Sequence, residues 1–569
     1  MHLIPKVKHL EIRSGFLENK SIFIATQPID SRLIAVIDML PVDPKGTPLE
    51  LIVDEGHGEA YELTIEERKI CIHANGQAGA FYAVQTLRQI FEECNVPCLY
   101  VKDWPDFPYR GFYQDVTRGK IASVETIKQL IDRMAYYKLN SLQLYVEHVF
   151  EFEETKGLWD KTGYLTKAEL QEIGTYCHDN FIEFIPSLAT FGHMHDILEQ
   201  EQYRYLRVNQ DDLIPANLWQ ARMNHHTINP FFPESIELVK SLIDQYAPCF
   251  ESDKFNICCD ETFDLKRFEN EGHDVGAVYL DFVNKIIAHI QKLGKKTMMW
   301  GDILLEHPTA ISELPDDILL LNWDYYSDKV KMEDKISKLA ESGKKQIVCP
   351  GTTTWNRFCE HVDVEEFNIT QMTELGHRYG AIGVLNTNWG DWANICSLDL
   401  GMYGMVFGAE KSWSVNTTLD DHFYAAVNAL LYKNNEGYTW LKRISRFNCR
   451  STWVDFAENY YKHQSGLFNE LKFHTEDEIK DIQNEYLAIA EALTCTSWGV
   501  DEYRQELLLS AEAVCVMAEL NGILAGYRIS RVTNTENWLE RYRIKWLEKN
   551  KESELQKIEH AFRYFESVS

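Results

Sequence analysis

An aspartate followed directly by a glutamate, Asp260-Glu261, closes the apolar run Phe255-Asn256-Ile257-Cys258-Cys259. Neighbouring side chains on a regular strand point to opposite faces, so two adjacent carboxylates can serve one pocket only where the pleat breaks down at the strand's end. A carboxyl group that gives and reclaims a proton, next to one that holds a polar group or faces developing positive charge, is equipment for acid/base catalysis. In an acidic chain, the alternative for such a pair is a solvated turn. Partners delivered to the same place would separate the two.

The elements that must deliver them are eight successive strand-like segments, near 110–117, 141–148, 182–190, 254–261, 296–302, 318–324, 346–353 and 381–389. Helical patterns follow most of them, as at 123–137, 166–179, 234–246, 275–292, 362–378 and 400–412. This alternation predicts an α/β chain built on a parallel (β/α)8 barrel, whose active site lies on the loops after the strands' C-terminal ends. Polar and aromatic residues gather at those ends: Asp115 and Arg118, Glu147 and His148, His193, Asp260 and Glu261, Trp300 and Asp302, Trp323, Asp324 and Tyr325, Trp355, then Trp389 and Asp391. One tryptophan there is ordinary packing. Four at corresponding positions offer flat faces for the C–H side of a sugar ring, while carboxylates and arginine suit its hydroxyls. The long segment from Phe191 to Pro233 is expected to lie over the pocket.

On either side of the barrel the pattern changes. Residues 1–105 read as a small α/β domain, with alternating strands at Tyr61–Ile65 and Lys69–His73, a turn at Asn75-Gly76, a helix over Gly79–Phe91 and a proline-marked linker at 103–108. The barrel is assigned to 106–418. From 419 to 569 helical periods dominate, near 420–434, 476–496, 500–525 and 535–567, as an appendage packed on the barrel or as a homodimerisation surface.

Lys plus Arg is 57 against 87 Asp plus Glu, a net charge of -30. That opposes nucleic-acid binding and adsorption to anionic membranes. Thirteen cysteines without framework spacing fit a reducing, cytoplasmic setting. No apolar leader stands at the start and no run of eighteen uninterrupted apolar residues follows, so no membrane partner is expected.

GAFYAVQTLRQI, RGFYQDVTRGK, QLYVEHVFEF, FGHMH, FNICCDE, WGD and LNTNWGDW together resemble the family 20 glycoside hydrolases, the β-N-acetylhexosaminidases, over roughly residues 55 to 415. They are most similar to the family's intracellular, exo-acting branch. The resemblance implies Glu261 as general acid/base, Asp260 as the carboxylate that orients the substrate's acetamido group, and His193 as support for the acid. It also implies Arg110 as the grip on ring hydroxyls, Trp300, Trp355 and Trp389 as the sugar pocket, and Asp391 on the outer hydroxyls. His148, Trp323 and Tyr325 complete the substrate-binding set. Two departures stand out. The better-known branch has a tyrosine after strand seven for the acetamido oxygen, where this chain has Thr352-Thr353-Thr354-Trp355; Tyr325 is the replacement. It also has an aspartate before the third-strand Gly-His, where this chain has Ala189-Thr190-Phe191.

The implied activity is removal of terminal, non-reducing β-linked GlcNAc or GalNAc with retention, and the partner is an N-acetylated glycan. The substrate's own acetamido oxygen would attack the anomeric carbon to give an oxazolinium, a nucleophile whose entropy cost is prepaid. No cofactor and no metal are expected: His193, His195, His225 and His226 share the long loop but lack a ligand pattern. Cys258-Cys259 read as small buried hydrophobes in place of a thiol site. The competing assignments are a non-catalytic sugar-binding barrel and a conventional β-glycosidase with two carboxylates about 5–9.5 Å apart.

Overall fold

A computed structural model describes residues 1–26, 30–211, 217–466 and 471–568. The N-terminal domain is a six-stranded sheet of β1 (His9–Phe16), β2 (Ile22–Ile24), β3 (Thr47–Val53), β4 (His57–Glu66), β5 (Lys69–Gly76) and β6 (Pro97–Asp103), in the order β1-β6-β4-β5-β3-β2. Ile70, Ile72 and Ala74 of β5 alternate inward, as period-two strands do. The helix Gln77–Phe91 packs against β4 and β5. Asn75-Gly76 is the end of β5 and the start of that helix, not a turn of its own: a Cβ on Gly76 would come within 2.7 Å of the Gly56 carbonyl.

All eight expected barrel strands form: β7 (Tyr109–Asp115), β8 (Ser141–Val146), β9 (Glu183–Leu188), β10 (Lys254–Asn256), β11 (Lys296–Trp300), β12 (Leu319–Trp323), β13 (Lys345–Cys349) and β14 (Gly383–Asn388). They are parallel and close when β14 pairs with β7. Tyr113, Tyr145, Ile185, Met298, Leu321, Ile347 and Leu385 fill the barrel's interior. Several strands stop short of their expected C-terminal ends, because the polar residues there leave the ladder and turn toward the pocket. β10 is the extreme case, with three residues.

Arg110 does not reach the pocket. It is the second residue of β7 and fully buried at the opposite end, where Nη1 and Nη2 donate to Glu59 of β4 at 2.7 and 3.0 Å. Its Nε donates to the Lys138 carbonyl, and its guanidinium lies over Trp413. At roughly 3.3 Å per residue the strand puts about 16 Å between Arg110 and the pocket-side Asp115. The expected sugar grip is instead a tie between the N-terminal domain and the barrel.

Among the described residues, the C-terminal region is built of helices. It includes Gly437–Phe447 and Trp453–Ser465, which the sequence periods did not reveal, and the long segment near 535–567 divides into Thr535–Lys549 and Leu555–Val568. Asp501–Leu524 is long and apolar enough to cross a membrane, yet most of it is buried inside this bundle. The region clamps two barrel loops. Glu554 N–H donates to the Gly119 carbonyl and Ile121 N–H to Ser553 Oγ, while Trp453 Nε1 donates to the Trp392 carbonyl and Tyr542 Oη to that of Ile395. These are the loops after β7 and β14.

Removing one member of a buried ion pair strands the other. Arg110→Met is therefore expected to lower stability by about 3–5 kcal/mol, seen as a lower urea midpoint.

Candidate active site

After Asn256 the backbone reverses its handedness. Cys258, Cys259 and Glu261 have φ of 56°, 65° and 53°, the left-handed region that non-glycine residues rarely occupy. The distortion is held from several directions. Asn256 Oδ1 accepts from Cys258 N–H, the Cys258 carbonyl from Trp300 N–H, the Cys259 carbonyl from Tyr279 Oη, and Asp302 Oδ2 from Glu261 N–H at 2.9 Å. Cysteines suit two of these positions because a small side chain can be buried on either side: Cys258 faces the barrel interior and Cys259 the helix layer. The result is that Asp260 and Glu261 face the same pocket.

His193 joins them. Its Nε2 lies 3.1 Å from Asp260 Oδ2 and 3.3 Å from Glu261 Oε2. The loop can approach because residue 192 is glycine; a Cβ there would meet the Asp260 carbonyl at 2.4 Å. Burial disfavours charge on His193, but the Asp260 charge and the hydrogen bonds to both carboxylates outweigh it and raise its pKa to about 10. His226 accepts the His193 backbone N–H on Nδ1. Burial, then the charge on His193, hold His226 well below the ordinary histidine range, so it stays neutral. Burial and the nearby Asp260 charge push Asp302 well above the usual carboxylate range, which makes it a neutral support for the Glu261 backbone.

The cavity these groups face measures about 250 Å³. This is just below the roughly 300–1,000 Å³ typical of drug-sized ligands and suits one sugar ring. Trp300 and Trp389 line it, with Tyr113 packed against both, the rings 5.0–5.9 Å apart. Trp323, Tyr325, Trp355 and Tyr326 continue around one wall in successive ring contacts. Tyr325 Oη accepts the Trp389 indole N–H at 2.6 Å. Burial raises its pKa well above the ordinary phenol value, so its own proton stays available for donation.

Arg118 stands across from them, stacked between Tyr145 and Trp389. It lies within ion-pair reach of Asp115, Glu147 and Asp391, at 3.5, 3.5 and 3.3 Å. Asp115 fixes this corner by accepting the backbone N–H groups of Thr117, Arg118 and Gly390. Arg222 adds a second guanidinium, 3.6 Å from Asp391.

The family model described as "Glycosyl hydrolase family 20, catalytic domain" matches residues 107–394, more than half of the chain, and "Glycosyl hydrolase family 20, domain 2" matches 25–104. The chain belongs to glycosyl hydrolase family 20. Among curated proteins it is similar to a beta-hexosaminidase of Porphyromonas gingivalis (28% identical over 305 residues, 46% of this chain and 38% of that protein). It is likewise similar to an N,N'-diacetylchitobiase of Vibrio harveyi (29% over 303 residues, 43% and 34%). The matched region thus spans little more than a third of these relatives. Among solved structures, the family 20 exo beta-N-acetylglucosaminidase of Vibrio harveyi in complex with N-acetylglucosamine aligns with a TM-score of 0.60 at 19% identity, over 74% of this chain and 75% of that one. The Flavobacterium johnsoniae chitobiase aligns over 99% of both chains, with a TM-score of 0.57 at 17% identity. These likenesses speak to the fold.

Of the residues singled out from sequence, Asp260, Glu261, Trp300, Trp323, Tyr325, Trp355, Trp389 and Asp391 line this family 20 pocket, and His193 braces its carboxylates. Arg110 lies at the barrel's far end. His148 lines a neighbouring cavity instead. Arg118, a strand-end residue in the same motif as Arg110, occupies the place meant for it. Trp219, Arg222 and Met223 were not foreseen; they come from the helix Leu218–Met223 inside the long insertion, whose residues 212–216 lie outside the described set. Only the insertion's length pointed to them. Tyr326 was missed beside Tyr325.

Folding raises the His193 pKa, so its charge contributes stability that is fully present below the unfolded value of roughly 6.5. That contribution is lost as pH rises through about 10. The melting-temperature gap between the wild type and His193→Asn is expected to shrink steadily across this window in a scanning-fluorimetry pH series.

Proposed function

We propose that the chain is an exo-acting β-N-acetylhexosaminidase that releases terminal, non-reducing β-linked GlcNAc or GalNAc with retention, the substrate's acetamido oxygen serving as nucleophile. What carries the proposal is that two adjacent carboxylates share one imidazole on one side of a sugar-sized pocket lined by tryptophan. Ordinary glycosidases need their two carboxylates on opposite sides of the scissile bond, about 5–9.5 Å apart. Asp391, the other carboxylate among the described residues that line the pocket, is engaged by Arg118 and Asn356.

In this mechanism Asp260 accepts the acetamido N–H, turning the carbonyl oxygen toward the anomeric carbon and countering the positive charge that develops on the ring. Tyr325 donates its phenol proton to that oxygen. Glu261 protonates the leaving oxygen, then takes a proton from the water that opens the oxazolinium. The imidazolium of His193 keeps both carboxylates in register. Arg118 and Asp391 hold ring hydroxyls, and the tryptophan faces cover the ring's C–H surface. Thirteen free cysteines support a reducing, cytoplasmic location.

The test uses 4-nitrophenyl β-glycosides of GlcNAc, GalNAc and glucose. Hydrolysis of the N-acetylated pair alone, with inhibition by a GlcNAc-thiazoline, is expected; equal turnover of the glucoside would defeat the mechanism. Glu261→Gln should slow cleavage of a chitobiose substrate by about 10²–10⁴-fold. Asp260→Asn and Tyr325→Phe should lower kcat more than they raise KM, since both act on charge formed in the transition state.

A further inference from the structure

A second cavity of about 280 Å³ adjoins the sugar pocket and shares Arg118, Arg222 and Asp391 with it. Beyond that common wall stand Glu147 and His148 after β8, Asp196 from the long insertion, and Glu554 and Lys557 from the C-terminal region. Glu147 and His148 are consecutive, but β8 ends at Val146, so the pleat no longer sends them to opposite faces. Nothing in the proposed reaction uses His148 or Asp196.

His148 is the unusual member. Its side chain is 5% exposed, and among the described residues neither ring nitrogen has a hydrogen-bond partner. A buried polar group left open forfeits its solvation, so such a ring asks for a partner. Asp196 does not close the gap: its Oδ2 lies 3.5 Å from His148 Nδ1, past the ordinary hydrogen-bond range. The sugar pocket's own imidazole differs, since His193 is hydrogen-bonded to Asp260.

A separation too long for a hydrogen bond has another meaning around an ion. Two ligands about 2.1 Å from one centre, about 109° apart, lie about 3.4 Å from each other, as in a tetrahedral zinc site. One oxygen each of Glu147 and Asp196 and one nitrogen of His148 lie within 4.8 Å of one another. An imidazole with two carboxylates leaves a fourth position for water, and Asp196, 42% exposed, opens a way in for the ion.

Charge agrees with this reading. Arg118 and Arg222 are turned on Glu147 and Asp391 at 3.3–3.6 Å, Arg118 also on Asp115, and Lys557 on Glu554. With Asp196 added, these three cations face five carboxylates. The formal surplus of two negative charges is what a divalent ion cancels. A nitrogen ligand selects a first-row transition metal over calcium or magnesium, which take oxygen alone.

We infer that Glu147, His148 and Asp196 bind a zinc ion that ties the long insertion to the end of β8. The site does not rest on the hexosaminidase assignment, and no step of the proposed reaction passes through it.

The test is metal binding to the full chain, stripped with EDTA and kept reduced, by calorimetric titration with zinc and calcium chlorides and by the visible spectrum of added Co²⁺. About one zinc per chain with a Kd below about 1 µM is expected. His148→Ala and Asp196→Asn should each weaken it about tenfold or more. Zinc should raise the melting temperature of the wild type and of neither variant. Asp196→Asn, a same-size change on a partly exposed side chain, keeps the test decisive should His148→Ala fail to fold. The Co²⁺ spectrum should lack the thiolate charge-transfer band that binding by free cysteines would give. No binding, a thiolate band, equal affinity for calcium, or binding that the variants leave intact would each overturn the site. Loss of zinc on Asp260→Asn would do so too, by moving the ion to the sugar pocket. Glycoside turnover decides none of these outcomes, so the ion site and the hexosaminidase assignment can fail separately.

Discussion

A strand delivers alternate side chains to alternate faces, and a site that uses two consecutive residues must break that rule. Here the break is the left-handed backbone at Cys258, Cys259 and Glu261. Each such residue costs about 1–3 kcal/mol. The hydrogen bonds from Cys258, Trp300, Tyr279 and Glu261 around it, at about 0.5–1.5 kcal/mol each, are of the same order. The constraint spreads outward from there. Gly192 must lack a side chain so that the His193 loop can touch the Asp260 carbonyl. Asp302 must sit under the Glu261 amide, and β10 must end after three residues.

Charge around the site follows from the same crowding. Asp115, Glu147 and Asp391 gather on Arg118, and Asp260 with Glu261 on His193. Burying so many ions contributes little net stability, since desolvation takes back most of the Coulomb gain. What it provides is position. Each cation is held from several sides, so a ligand meets groups already in place.

The barrel was legible because eight strand-like segments recur with helical patterns after most of them, and the pocket because chemistry gathers at one end of the strands. Arg110 and Arg118 show where that stopped. Both belong to RGFYQDVTRGK, and the match of motifs pointed to the first of them. Strand direction decides otherwise: the arginine that opens β7 faces the N-terminal domain, and the one just past its end faces the pocket. Trp219 and Arg222 were out of reach for a different reason, since an insertion has no period that says which way its residues turn. The helix Gly437–Phe447 lacks a side-chain N-cap, which left its start unmarked.

The clamp of the C-terminal helices on the loops after β7 and β14 also sets a schedule for synthesis. Arg118 and Asp391 leave the ribosome long before Ser553 and Glu554, the residues that hold the loop of the first of them. About 160 residues separate Asp391 from Ser553, roughly 8–30 s at about 5–20 residues per second. All eight barrel strands are already synthesised by then, but the corner around Arg118 and Asp391 waits for the helices that clamp its loops. A chain stopped before Ser553 therefore lacks the contacts that hold the loop after β7.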